Sequence, residues 1–212
     1  MAKLPLLLPS VLVFVAWLSY ELKKNEKKNK EGLEQFLKTE AEANNTRKQD
    51  ISNLEYVNFT LSLLPVYQGE DPDILAQQKK LQFFEEKPMI NLSAHTNTEL
   101  KLMYGAANLD FLSTADVNFI NFSRELFKYG QLLYEKEEKE QALATLEYGI
   151  NIGTDISKHY ELLSNIYVQQ QQMDQLLSLK EKAQNIHTLM KDSIINNIED
   201  QIALLETMHT VS

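Results

Sequence analysis

A pattern of apolar and small residues near the middle of the chain is repeated further along, with every position number raised by 34. The first copy lies in RELFKYGQLLYEKEEKEQALATLEYGINIG, residues 124–153. Its positions are Leu126, Tyr129, Gly130, Leu133, Ala142, Leu146 and Gly149, and the matching ones are Tyr160, Leu163, Ser164, Tyr167, Leu176, Lys180 and Ala183. Spacings of three, four and seven place each group on one face of a helix. The pattern predicts two helix-turn-helix units in which small residues mark close contacts between helices.

This pattern resembles the tetratricopeptide repeat (TPR), a helix-turn-helix unit of about 34 residues with the motif W-x2-L-G-x2-Y followed by A-x3-F. The match covers about residues 121–187, roughly a third of the chain. The departures from the motif are Leu126 for the first aromatic residue, Leu176 and Lys180 for the usual Ala and aromatic residue, and Thr154 and Thr188 where the family tends to have Pro. These departures leave a plain bundle of helical hairpins open as the alternative.

Two such units need a further unit or capping segments to cover their apolar faces. A further step of the same length reaches DSIINNIEDQIALLE, with Ile194 and Ile198 at apolar positions but Asn197 and Gln201 at polar ones. This pattern is typical of a cap helix. The predicted fold is therefore all-α: a TPR-like helical hairpin array with a cap helix over residues 119–212, preceded by an irregular or extended segment.

The resemblance implies a groove for a partner, lined by the first helix of each unit. The candidate groove residues are Arg124, Phe127, Gln131 and Tyr134 on one helix, and Lys158, Glu161, Asn165 and Val168 on the next. Members of the family that grip a peptide carboxylate use clustered Lys, Arg and Asn, for which only Arg124, Lys158 and Asn165 are present. The alternative for Phe127 and Tyr134 is that they pack beneath the upstream segments of the chain.

The segment from Leu4 to Tyr20 contains no charged residue. As a helix it is about 25 Å long, slightly short of a hydrocarbon core of about 30 Å. Trp17 and Tyr20 lie where interfacial aromatic residues are expected, and one lysine precedes the run while five follow it within ten residues. These features predict a transmembrane anchor over residues 1–22 with the C-terminal body in the cytoplasm. The alternative is a cleaved signal peptide, although WLSYELKKNEKKNK contains no small-x-small cleavage site.

The next two regions are less regular. Residues 23–50 are rich in charge and have a narrow stripe of Leu33, Phe36 and Leu37, so we expect a charged juxtamembrane helix or a flexible stalk. Residues 51–118 are predicted to mix extended and short helical segments. The predicted segments are an extended run from Val57 to Leu63, a helix from about Ile74 to Glu86, an extended PMINLS and a helix from about Thr98 to Tyr104. The extended run is expected to pack along helices or to pair with the stretch from Met89 to Leu92.

Charge and motif content disfavour several classes of function. From Glu31 onward the chain carries 15 basic and 28 acidic residues, a net charge of −13, which repels phosphate backbones and disfavours nucleic-acid binding. The absence of Cys excludes disulfides and thiolate metal sites. No phosphate loop, dinucleotide fingerprint, zinc motif or nucleophile elbow occurs, and the four histidines lack ligand spacing. The sequence predicts a non-enzymatic protein without cofactor or metal, with its histidines as ordinary surface or helix residues.

The expected function is a membrane-anchored scaffold or adaptor. Its cytoplasmic helical domain is expected to bind a protein or peptide partner, and its N-terminal helix is expected to hold it at the membrane. Such a tether raises the local concentration of the partner there. The alternative is a secreted or surface helical protein whose leader is removed.

Overall fold

The structure, a computed structural model, describes the backbone of residues 7–211 and the side chains of residues 11–208. Within these limits the chain is all-helical and no residue lies in a β-strand, which confirms the all-α part of the predicted fold. The α-helices are α1 Leu7–Asn44, α2 Pro72–Gln82, α3 Asn97–Tyr104, α4 Leu109–Glu135, α5 Lys139–Asn151, α6 Ser157–Gln169, α7 Met173–Ala183 and α8 Lys191–Val211. Two short 3-10 helices lie at Leu61–Leu63 and Ala106–Asn108.

The described chain divides into two compact units. The first unit contains α1, the residues after it as far as Gln49, α3 and the second 3-10 helix. Here α1 contacts α3, and Lys101 Nζ lies 2.9 Å from Glu40 Oε2. Thr98 also donates to the carboxylate of Glu40, and this hydrogen bond, followed by that from Lys101, lowers the pKa of Glu40. The C-terminal part of α1 is therefore held to α3 by a partly buried polar contact.

A glycine allows the chain to turn closely past the end of α1. Gly105 follows α3 with φ +88°, a conformation that side chains other than Gly rarely adopt. A Cβ atom at this position would lie 2.5 Å from the carbonyl oxygen of Arg47. The side-chain amide of Asn108 then donates to the carbonyl oxygens of Gln49 and Tyr104, at 2.9 and 2.7 Å. These contacts hold the residues that follow α1 against the end of α3 and the second 3-10 helix.

The second unit comprises residues 50–96 and those from Leu109 onward. Its first hydrophobic cluster surrounds α4, whose buried stripe is Leu112, Ala115, Phe119, Phe122, Leu126, Tyr129 and Leu133. The regular spacing of three and four explains why α4 begins at Leu109, ahead of the boundary predicted at residue 119. Seven upstream side chains join this cluster: Phe59, Leu61, Leu64, Ile74, Leu81, Phe84 and Met89. The middle of the chain thus packs on the hairpin of α4 and α5.

The carboxylate of Asp71 fixes the start of α2. Its Oδ1 atom accepts hydrogen bonds from the backbone amides of Asp73 and Ile74, at 3.0 and 3.2 Å, while Pro72 takes the first helical position. Lys136 Nζ lies 2.7 Å from Asp71 Oδ2. The hydrogen bond from Lys136 is the largest cause of the lowered pKa of Asp71. The cap and the ion pair together join α2 to the turn after α4.

The run predicted to be extended lies against the first cluster without forming a strand. Phe59 and Leu61 are buried while Asn58 and Thr60 are exposed, so the predicted alternation of burial is present over these four residues. The backbone amide of Val57 donates to the carbonyl oxygen of Met89 at 2.8 Å. The alternation ends where Leu61–Leu63 turns into a 3-10 helix, which leaves Leu63 53% exposed.

A second hydrophobic cluster extends from α5 to α8. In it α6 contacts α5, α7 and α8, and α8 contacts both α6 and α7. Ile194, Ile198 and Leu205 of α8 are buried there. At the border of this contact Lys180 Nζ lies 2.8 Å from Glu199 Oε1. The last helix therefore covers the apolar side of the α6–α7 hairpin.

The turns inside the two hairpins have the same backbone geometry. Glu137 and Gln171, which correspond to each other in the repeat pattern, both have positive φ, at 64° and 56°. Three backbone hydrogen bonds recur with the same shift. They join Lys136 to Leu132, Glu137 to Tyr134 and Glu138 to Leu133 in the first turn, and Gln170 to Ile166, Gln171 to Val168 and Gln172 to Tyr167 in the second. The backbone conformation and the hydrogen bonds of the two turns thus recur with the same shift of 34 residues as the sequence pattern.

Two glycines of the pattern lie where helices approach closely. A Cβ atom at Gly130 of α4 would lie 3.0 Å from Leu146 Cδ2 of α5. A Cβ atom at Gly149 of α5 would lie 2.5 Å from His159 Nε2 of α6. Close backbone approach therefore requires the small residues at both positions.

Candidate membrane segment and partner surface

The N-terminal half of α1 exposes apolar side chains on every side. The exposed residues are Val11, Leu12, Val13, Phe14, Val15, Trp17, Leu18, Tyr20 and Leu22, with exposed fractions from 40% to 69%. Five of them are consecutive, and successive residues of an α-helix are turned by about 100°, so no single face collects them. This distribution differs from that of a helix that buries one stripe against a protein core.

A lysine-rich stretch follows directly on the same helix. Its lysines, Lys23, Lys24, Lys27, Lys28 and Lys30, are all exposed. Lys24 lies 3.7 Å from Glu21 and Lys27 lies 3.8 Å from Glu31, which are loose pairs on the helix surface. Pairs of this kind contribute little to stability. The stretch therefore has basic side chains open to the solvent beside the apolar segment.

The predicted anchor from Leu4 to Tyr20 begins outside the described residues. Within residues 7–211, no helix combines the length and the apolar composition needed to cross a bilayer. The region predicted as a juxtamembrane helix or stalk is helical as far as Asn44, since α1 runs from Leu7 without a break. Its stripe of Leu33, Phe36 and Leu37 is more than half exposed.

The candidate groove residues of α4 differ in exposure. Arg124 and Gln131 are exposed, whereas Phe127 and Tyr134 are half-buried. The ring of Phe127 lies 5.4 Å from that of His159, centroid to centroid. The hydroxyl of Tyr134 donates to Gln169 Oε1 at 3.0 Å. Both aromatic side chains thus pack partly against α6, and Tyr134 also packs against the first hydrophobic cluster, which contains the upstream side chains.

The candidate groove residues of α6 are also unequal. Lys158 and Glu161 are exposed and Asn165 is half-buried. Val168, in contrast, is only 7% exposed and belongs to the second hydrophobic cluster, so its side chain is not open to solvent as expected for a groove residue. The physical reason is that α6 has helices on several sides, and these cover the apolar positions at its end. The surface that remains combines basic, acidic and amide side chains.

Tyr129 is held among residues of the middle segment. Gln78 donates to its hydroxyl oxygen at 2.9 Å, and the backbone amide of Tyr67 lies 3.4 Å from the same atom. Burial raises the pKa of Tyr129, against the effect of these two hydrogen bonds. The middle segment therefore makes polar as well as apolar contacts with α4, and the polar contacts include the hydroxyl of Tyr129.

His159 lies within a helix, one of the two settings expected for the histidines, but it is not a surface residue. It is fully buried, and neither ring nitrogen has a hydrogen-bond partner among the described residues. Burial lowers its pKa from 6.5 to about 3, so the ring is neutral. No spacing in the sequence indicates this, because the contacts with Gly149 and Phe127 come from other helices.

Comparison with protein-family models, with curated protein sequences and with solved structures gave no match to this chain. In the part of the chain that the structure describes, no three or more His, Asp or Glu side chains form a group able to hold a metal ion.

Proposed function

We propose that the protein is a membrane-tethered scaffold whose helical array binds a protein or peptide partner. The main observation in support of the membrane tether is the exposure of apolar side chains all around α1 between Val11 and Leu22. Each such side chain gains about 1 kcal/mol or more on transfer from water to an apolar environment. Nine of them favour a bilayer as the surroundings of this segment.

The lysines beside this segment support an orientation. One lysine precedes the apolar run and five follow it, all within ten residues of its end. Positive residues near the end of a span are retained on the cytoplasmic side. We therefore place the C-terminal body in the cytoplasm in this proposal, with Trp17 and Tyr20 at the interface.

We also propose that α4 to α8 form a TPR-like array of two hairpins and a cap helix. The recurrence of the turn geometry with the period of the sequence supports this, as do the equal offsets between the starts of α5 and α7 and between those of α6 and α8. Gly130 and Gly149 provide close helix contacts where the repeat pattern has small residues. In an array of this kind the first helix of each hairpin lines the partner surface.

The proposed partner surface consists of the candidate residues that keep solvent contact. They are Arg124, Gln131, Lys158, Glu161 and Asn165, with Tyr134 half-buried beside them. Two cations, one carboxylate and two amides suit a polar peptide, since each group is able to form a hydrogen bond with a peptide backbone or side chain. Phe127 and Val168 contribute to the stability of the array instead.

Deletion of residues 1–22 tests the tether. We expect the full chain to float with phosphatidylcholine vesicles in a density gradient and the deletion variant to remain at the bottom. The control is the triple variant Leu33→Ala, Phe36→Ala, Leu37→Ala, which removes exposed apolar surface further along α1 and is expected to float like the wild type. Flotation of the deletion variant would contradict the tether.

A photo-crosslinking residue at position 131 tests the partner surface. Gln131 is exposed on α4, whereas Lys139, at the start of α5, provides a control in the charged turn. We expect a discrete adduct with another protein in native membranes from position 131 and none from position 139. Adducts only within the chain, or the same adducts from both positions, would refute the proposed surface.

A further inference from the structure

We propose that the surface at the C-terminal end of α2 binds an acidic peptide segment that carries one large apolar side chain. The surface, here called the Phe83 patch, consists of Lys79, Lys80, Phe83, Phe84 and Lys87 with Glu125 beneath them. None of its residues belongs to the candidate groove, and the patch depends neither on the tether nor on the TPR-like arrangement. The chemistry of the partner follows from the geometry and the charge of this patch.

The exposed aromatic ring of the patch is held in place from below. Phe83 is 63% exposed, and its ring meets the edge of Phe84 at 86° with the centroids 5.6 Å apart. Phe84 is buried and lies 5.6 Å from Phe122 of α4. A ring supported in this way loses little freedom when a ligand covers it, which favours binding.

A shallow depression, wide open to solvent, lies beside Phe83. Its volume is about 440 Å³, and it opens to solvent between the last turn of α2 and Glu125 of α4. Large exposed apolar groups rimmed by polar residues are typical of interaction sites. The depression offers the rings of Phe83 and Phe84 as an apolar contact surface for one aromatic or large aliphatic side chain.

The charge of the patch determines the charge of its partner. Lys79 and Lys80 are exposed, and Lys87 Nζ lies 4.6 Å from the centroid of the Phe83 ring. The patch has three lysines. Of the two acidic residues between Phe84 and Lys87, Glu85 accepts a hydrogen bond from the backbone amide of Leu61 at 2.7 Å and Glu86 is exposed, while the body as a whole has a net charge of −13. The patch is thus a basic area on an acidic protein, and charge complementarity selects an acidic ligand.

The carboxylate of Glu125 is bound mainly to residues outside the patch, and its attraction to Lys80 is the smallest of the effects on its pKa. Its Oε1 atom lies 2.6 Å from Lys128 Nζ, and its Oε2 atom accepts from Gln77 Nε2 at 2.7 Å. Burial acts to raise its pKa, but the hydrogen bonds from Lys128 and Gln77 outweigh that effect, so the pKa is lowered and the group stays ionised. Lys79 and Lys87 are then available to meet carboxylates on both sides of an inserted apolar residue.

Selection from a random dodecapeptide phage-displayed library against the full chain in detergent micelles tests the proposal. We expect the enriched peptides to carry Asp or Glu around one aromatic or large aliphatic residue. A synthetic peptide of the most enriched sequence, titrated by fluorescence anisotropy, should bind at least tenfold more weakly to Phe83→Ala and to Lys79→Glu. Its affinity for the wild type should also fall with rising salt concentration.

Two exposed side chains outside the patch provide matched controls. Lys48→Glu makes the same change of charge as Lys79→Glu, and Leu177→Ala removes an apolar side chain that is 47% exposed. Both should leave the affinity within twofold of the wild type. The proposal is overturned if no peptide is enriched, if the enriched peptides lack acidic residues, or if all four variants bind alike. None of these three outcomes changes the result expected from vesicle flotation or from crosslinking at position 131, so this proposal and the proposed function are tested separately.

Discussion

His159 occupies a fully buried position where α4, α5 and α6 meet. A charged imidazolium there would lose its hydration without gaining a hydrogen bond, which is the cause of its low pKa. Because the pKa in the folded state is below that of the unfolded chain, the neutral ring stabilises the fold above pH 6.5. That stability is lost as the pH falls from 6.5 towards 3.

We expect His159→Leu to reduce the acid sensitivity of the fold. In the wild type, protonation of this group lowers the free energy of unfolding by at most about 1.4 kcal/mol for each pH unit below 6.5. Urea unfolding at pH 7 and pH 4.5 measures the loss, and comparison with the variant removes the contribution of the carboxylates. His187→Leu, at an exposed histidine, should behave like the wild type. Equal pH dependence of all three proteins would refute this prediction.

Gly149→Ala should destabilise the protein, although Ala is normally the better residue in a helix by about 1 kcal/mol. The new Cβ atom would lie 2.5 Å from the buried ring of His159, which has no open space to move into. We expect the free energy of unfolding to fall by about 1–3 kcal/mol. Gly32→Ala, at a position with nothing within 4 Å, should cause no loss in the same denaturation experiment.

A double variant separates this clash from other causes. His159→Ala removes the atoms that a methyl group at position 149 would meet, so Gly149→Ala should cost less in that background than in the wild type. The same cost in both backgrounds would show that the clash is not responsible.

At the scale of elements, the two hairpin turns depend on residues in the left-handed conformation. Glu137 and Gln171 each adopt it at the end of the first helix of a hairpin, a position that Gly usually occupies. A side chain costs about 1 kcal/mol there. The turns form nonetheless, because the backbone hydrogen bonds around them and the packing of the paired helices hold them.

We therefore expect Gln171→Gly to raise the free energy of unfolding by up to about 1 kcal/mol. Glu137→Gly should act in the same direction, because the recurring turn places both residues in the same conformation. Gln172→Gly and Glu138→Gly are the controls, since their φ angles are negative and Gly there increases only the entropy of the unfolded chain. Thermal unfolding of the four variants measures these effects. Shifts of the melting temperature in opposite directions for Glu137→Gly and Gln171→Gly would show that the two turns are not equivalent.

At the scale of the whole molecule, the chain combines an apolar and basic N-terminal helix with an acidic helical body. Trp17 is the only tryptophan, lies in the apolar segment of α1 and is 56% exposed. Its fluorescence therefore reports on that segment alone. The surroundings of the body do not contribute to the signal.

We expect phosphatidylcholine vesicles to shift the emission of Trp17 to shorter wavelength, and lipids with brominated acyl chains to quench it. The reason is transfer of the indole from water to the interfacial region of the bilayer. Phe14→Asp with Val15→Asp should weaken the shift, because charged residues oppose insertion. Emission that stays unchanged on addition of vesicles would contradict the proposed tether.

Features that depend on local spacing were determined by the sequence itself. The helical class, the helices near residues 74 and 98 and the repeat period all follow from apolar periodicity and small residues along the chain. The apolar segment and its lysine flank are visible in the same way, because composition over about 20 residues determines them. The exposure of Arg124 and Lys158 also follows from helical spacing.

Only the tertiary structure decided features that depend on contacts between distant residues. The burial of His159 and Val168, the ion pair between Asp71 and Lys136 and the support of Phe83 by Phe84 and Phe122 are of this kind. Helical spacing shows which face of its own helix a side chain occupies, but not which other helix covers that face. The free energy of burial depends on how the helices pack against one another. The tertiary arrangement therefore determines these features, and the sequence of any single helix does not.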